Sequence, residues 1–116
     1  MVNNTLLTEA KKLSLYPSYI INAYDLCFEW MDQSVLKILD YTKDEIANLE
    51  HSDLLIFDDE CPELDFYEKI TLQESTLDLK IKAKNGQVSL STVTFKTFTY
   101  NDEPHIVACI TNLTSQ

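Results

Sequence analysis

The chain has 116 residues with 9 Lys, no Arg and 19 Asp or Glu, a formal net charge of −10 at pH 7. That balance weighs against nucleic acid and anionic membranes as partners, because neutralising phosphates needs a basic surface and the guanidinium fork is missing. A single glycine excludes the glycine-rich phosphate loops, whereas 45% hydrophobic residues, with 5 Phe, 6 Tyr and 1 Trp, exclude a disordered acidic tail and predict one core in one domain.

No stretch reaches the roughly 18 apolar residues of a membrane-spanning helix. The first ten residues carry no basic segment leading an apolar run, so no secretory signal is read there. Cys27, Cys61 and Cys109 form no CxxC pair, which fits reduced thiols and a cytoplasmic location.

Residues 4–16 follow a helical pattern, with Leu6, Ala10, Leu13 and Tyr16 on one face and Pro17 ending it. This gives an N-terminal amphipathic helix over 1–17 ahead of a domain over 18–116. Ser18–Ala23 and Cys27–Met31 read as two strands around a turn at Tyr24-Asp25-Leu26. Alternation places Phe28 and Trp30 on one face of the second strand and Glu29 on the other. Asp32 is a candidate N-cap for a helix over Gln33–Leu39. Thr42 and Glu45 have capping-box spacing for a helix over Thr42–Leu49.

Ser52–Phe57 reads as an apolar turn, and the acidic run Asp58-Asp59-Glu60 leads into a short helix over Pro62–Ile70. Leu77, Leu79, Ile81 and Ala83 alternate with charged residues in the clearest strand of the chain. Asn85-Gly86 predicts a two-residue hairpin turn with both positions at positive φ. The return strand Gln87–Tyr100 changes parity between Leu90 and Val93, predicting a bulge near Ser91-Thr92. Asn101-Asp102 is a second turn, and His105–Leu113 a third, apolar strand. The class is α+β.

This order of elements resembles a PAS domain, the sensory module common in bacterial signalling proteins, over about residues 18–114. The stretches that carry the resemblance are Trp30-Met31-Asp32-Gln33-Ser34, Leu39-Asp40-Tyr41-Thr42-Lys43-Asp44-Glu45-Ile46, Ile56-Phe57-Asp58-Asp59, Lys84-Asn85-Gly86-Gln87 and Thr111-Asn112-Leu113-Thr114. They stand where the family has its Asn-x-Ala helix start, Leu-Gly-Tyr-Thr/Ser-x-x-Glu-Leu segment, acidic Pro-x-Asp, Asp/Asn-Gly hairpin and Asp-Ile-Thr end. Asp40, Leu26 and Asn48 stand where the family often has glycine, and Asp40 and Asn48 suit a left-handed backbone. Asn112 replaces the aspartate that in the family couples the sheet to a following effector helix. The resemblance implies a five-stranded antiparallel sheet with short helices on one face and a flanking N-terminal helix.

Trp30, Phe57, Phe66, Tyr67, Leu79, Ile81, Phe95 and Cys109 would then line the space between helices and sheet, as a plain core or as a pocket for a small apolar ligand. Flavin and haem are not expected. Cys61 lacks the Asn-Cys-Arg-Phe surroundings of a flavin-adduct cysteine, and the helix lining the pocket has no histidine. His51 after a helix end and His105 at a strand start are expected at the surface, and neither these nor the cysteines have metal-ligand spacing. Glu29 beside Trp30 is the one candidate acid–base group, directed away from the pocket by its parity.

The expected function is a non-enzymatic sensory module signalling to a histidine kinase or diguanylate cyclase type of effector. Leu6, Leu13 and Tyr16 are the candidate contacts of a homodimer. A ligand-free dimerisation module and a small acid–base enzyme are the alternatives.

Overall fold

The computed structural model describes residues 17–57 and 62–115, with side chains to residue 112. The N-terminal helix, its candidate contacts Leu6, Leu13 and Tyr16, and Cys61 lie outside the described residues. In chain order the elements are β1 (Ser18–Asn22), β2 (Phe28–Met31), α1 (Gln33–Leu39), α2 (Lys43–Ile46), a 3₁₀ turn (His51–Leu54), β3 (Leu55–Ile56), α3 (Glu63–Leu72), β4 (Ser75–Lys82), β5 (Val88–Tyr100) and β6 (Glu103–Ser115).

The strands form one antiparallel sheet in the order β2-β1-β6-β5-β4-β3. The sixth strand arises because Leu55 and Ile56, expected in a turn, pair with Ile81 and Lys80 at the sheet edge. The helices start and stop where local chemistry dictates. Thr42 Oγ1 accepts from the Glu45 amide at 3.2 Å while the Thr42 amide donates to Glu45 Oε1 at 3.0 Å, closing the capping box of α2. Asp32 occupies the N-cap of α1 without a side-chain cap bond. Asp40 ends α1 at φ 63°, as its stand-in for glycine requires, whereas Asn48 stays out of the left-handed region and donates through Nδ2 to the Asp44 carbonyl at 3.1 Å.

The two long hairpins turn differently, and the first departs from the two-residue turn expected of it. At Lys84-Asn85-Gly86 only Gly86 has positive φ, 89°, and the Gly86 amide donates to the Ala83 carbonyl at 2.9 Å. The loop is thus three residues long, with the glycine as its left-handed last position. At Asn101-Asp102 both residues are left-handed, at 51° and 62°, between the paired Tyr100 and Glu103. That is the two-residue geometry, built without glycine.

Two irregularities set which side chains face which way. Ile20 pairs with Trp30 but Ile21 with Phe28, so Glu29 is an extra residue and Phe28 and Trp30 fall on opposite faces of the sheet. The expectation from simple alternation is corrected by this bulge. A second shift falls between Thr92 and Val93, where the sequence placed it, but there β6 carries the extra residue, Thr111. The parity of β5 is unbroken, and Ser91 points inward with Val93 and Phe95.

The main core lies between the inner sheet face and the helices. It unites Tyr19, Ile21, Val93, Phe95, Ala108 and Ile110 of the strands with Val35, Leu36, Leu39, Ile46, Leu54, Phe66 and Ile70. A smaller cluster of Ile20, Val107 and Cys109, flanked by Trp30, Phe98 and Tyr100, occupies the outer face.

Candidate functional site

The inner core contains a polar centre. His51, expected at the surface, is 0% exposed. Its position follows from backbone bonds around it. The Glu50 amide donates to Asp53 Oδ2 at 2.9 Å, which shapes the 3₁₀ turn. The His51 amide donates to the Leu26 carbonyl at 2.9 Å, and Cys27 bridges to Glu50. Leu26 turns at φ 63° to offer that carbonyl, while its side chain packs on the core. The β1–β2 loop therefore pins the turn and drives the imidazole inward. The Glu50-x-x-Asp53 capping spacing is the one sequence signal that could have located this turn.

Inside, the His51 ring lies between two phenols. Its Nε2 is 2.5 Å from Tyr19 Oη and its Nδ1 is 2.9 Å from Tyr67 Oη. Five aromatic rings surround it with centroids 5.2 to 6.2 Å away: Tyr19, Phe28, Phe66, Tyr67 and Phe95. Burial in this apolar shell lowers the imidazole pKa to about 3, so His51 is neutral. Burial likewise raises both phenols, Tyr19 with a further push from Tyr67 and Cys109, and Tyr67 with one from Glu63, Glu50 and Asp53. All three groups thus keep their neutral forms, in which they can pair only by hydrogen bonding.

The cluster reaches the surface at one side. Phe66 is 1% exposed, but Phe57 and Tyr67 are only half-buried. Phe57 stands edge-on to Phe66 at 5.5 Å and tilted to Tyr67 at 6.0 Å. On the same inner face, Ser91 Oγ is buried with no hydrogen-bond partner among the described residues.

Of the residues expected to line a pocket, Phe57, Phe66, Tyr67, Leu79, Ile81 and Phe95 come together on the inner face. Trp30 and Cys109 do not. The Glu29 bulge turns Trp30 to the outer face, and alternation along β6 sends Cys109 there while Ala108 and Ile110 face inward.

His105, also expected at the surface, is buried on the outer face, stacked on Phe98 at 5.6 Å. Its Nδ1 lies 3.0 Å from the Glu103 carbonyl and its Nε2 lies 3.7 Å from Glu29 Oε1. Glu29, the candidate acid–base group, therefore pairs with His105 on the face opposite the aromatic centre. Among the described residues, no three His, Cys, Asp or Glu side chains gather as a metal site, and no helix is long and apolar enough to cross a membrane.

No family model and no curated protein matches the sequence. The similarity is one of shape. The chain superposes on a PAS domain from a two-component sensor histidine kinase with a TM-score of 0.71, covering 97% of this chain and 96% of that one at 7% identity. The PAS domain of a Desulfitobacterium hafniense protein gives a TM-score of 0.75 over 88% and 96% at 16% identity. That of the fruit-fly ELK potassium channel gives 0.72 over 97% and 99% at 15% identity. A curled antiparallel sheet with short helices on its inner face, similar to these over nearly the whole chain, gives this protein the PAS-domain fold.

Proposed function

We propose that this domain is a non-catalytic sensory module whose inner aromatic cluster receives a small, largely apolar ligand. The observation that carries the reading is the graded burial of that cluster. Phe66 and Phe95 are sealed, while Phe57 and Tyr67 are half-buried at its margin, so a small molecule has apolar surface to join there. Glu29 sits away from this cluster beside His105, with no nucleophile in the pair, which argues for a binding role over acid–base catalysis.

Within this reading the domain works as a homodimer and passes its signal to an effector of the histidine kinase or diguanylate cyclase type. The fold shared with a PAS domain of a two-component sensor kinase supports that choice. Native mass spectrometry of freshly purified protein tests it. A dimer retaining a small molecule is the expected result, and a clean apo dimer would favour a ligand-free dimerisation module. Loss of the retained molecule on Phe57→Ala would place it at this cluster.

A further inference from the structure

Counting protons in the Tyr19–His51–Tyr67 chain leaves two directions, and burial favours one of them. Two phenols and a neutral imidazole hold three exchangeable protons between them, but the chain has only two hydrogen bonds. One O–H proton is therefore left over at one end. If it belonged to Tyr19, a donor would be stranded on a residue 2% exposed, at a cost of about 1–3 kcal/mol. Tyr67 is half-buried at the margin of the cluster, so a spare proton costs less there. So Tyr19 donates to Nε2, Nδ1–H donates to Tyr67 Oη, and the Tyr67 O–H points onward. Accepting from His51 polarises that hydroxyl and strengthens it as a donor.

Two further features select what it meets. Glu63, Glu50 and Asp53 set a negative field at Tyr67, which repels anions. The Phe57 ring, its centroid 6.0 Å from that of the Tyr67 ring, offers an apolar face beside Tyr67. We infer that Tyr67 is the polar recognition point for a neutral ligand bearing a carbonyl-type oxygen, whose apolar body lies against Phe57. This rests on the ligand-sensing reading above and narrows its ligand class to neutral hydrogen-bond acceptors.

The test uses three matched probes, 1-indanone, indane and indane-1-carboxylate, titrated into the protein and followed by amide NMR. Wild type is expected to bind 1-indanone about two- to tenfold above indane, which is the range of one added hydrogen bond, and the carboxylate weakest. Tyr67→Phe should erase the difference between the first two. Equal binding of 1-indanone and indane by wild type would overturn the inference and leave the apolar-ligand reading standing, as would tightest binding of the carboxylate. No binding of any probe would overturn both. Should Tyr67→Phe fold poorly, the carbonyl carbon of labelled 1-indanone gives the answer in wild type: a bound resonance at or downfield of its position in water supports donation to it, and an upfield shift toward its position in hydrocarbon solvent refutes it.

Discussion

Tyr19 of β1 and His51 of the 3₁₀ turn, 32 positions apart in sequence, meet at 2.5 Å in the closed core. The contact joins the sheet to the helical layer through a polar link surrounded by rings. Removing one partner is more costly than the bond itself is worth, because the other is left buried and unpaired. Tyr19→Phe strands Nε2 of a residue that is 0% exposed, and a loss of about 1–3 kcal/mol is expected. Urea unfolding measures it. A change within a few tenths would mean that the link bears no load.

The pH dependence of stability follows from the same imidazole. Its pKa falls from 6.5 to about 3 on burial, so below 6.5 the unfolded chain binds a proton that the folded chain refuses. Stability is complete above 6.5 and is lost as the pH falls toward 3, with a slope of up to about 1.4 kcal/mol per pH unit. Glu45, held below the usual carboxylate range chiefly by its hydrogen bond to Lys84, adds a loss only in more acidic solution. Urea midpoints between about pH 7 and about pH 5 isolate the histidine contribution. His51→Leu should flatten this region, and an unchanged slope in that variant would assign the dependence elsewhere.

Ser91 offers the opposite sign. Its hydroxyl is buried on the inner face with no partner among the described residues. Ser91→Ala removes an unpaired polar atom and leaves the strand intact, so a gain of about 1 kcal/mol is expected in chemical denaturation. A loss of similar size would show that the hydroxyl is satisfied in solution.

The left-handed positions predict a pair of opposed effects. Asp40→Gly at φ 63° relieves a side chain held in a disfavoured region, and a gain of about 0.5 kcal/mol is expected. An added Cβ at Gly86 would meet nothing within 4 Å. Any cost of Gly86→Ala is therefore a backbone cost, about 1 kcal/mol. Thermal unfolding of both variants checks the signs, and a stabilising Gly86→Ala would contradict the turn geometry.

What could be read from sequence was local. The α1 boundaries, Gln33–Leu39, follow from the apolar stripe of Val35, Leu36 and Leu39, and the Thr42–Glu45 box follows from side-chain reach alone. The strands β4, β5 and β6 followed from alternation and turn residues. Features set by partners far along the chain were hidden. Leu55-Ile56 is a strand only because β4 lies beside it, and Glu29 is a bulge only in its register against β1. His51 was read as a surface residue because nothing near it in sequence reveals the two phenols that satisfy it. The inner members of the aromatic site were legible as a set; Trp30 was misplaced by the unseen bulge, and Cys109 because the wholly apolar run 106–110 gives no local sign of which face each residue takes.

The central strand β6 has a mechanical consequence. Flanked by β1 and β5, it sends Ala108 and Ile110 to the helical side and Val107 and Cys109 to the other. Neighbouring residues share one rigid peptide unit, about 3.8 Å between α-carbons. Dense cores do not absorb displacement by compression. Pressure that shifts Ala108 therefore moves Val107 with it, and the strand acts as a push-rod through the sheet that needs no hinge.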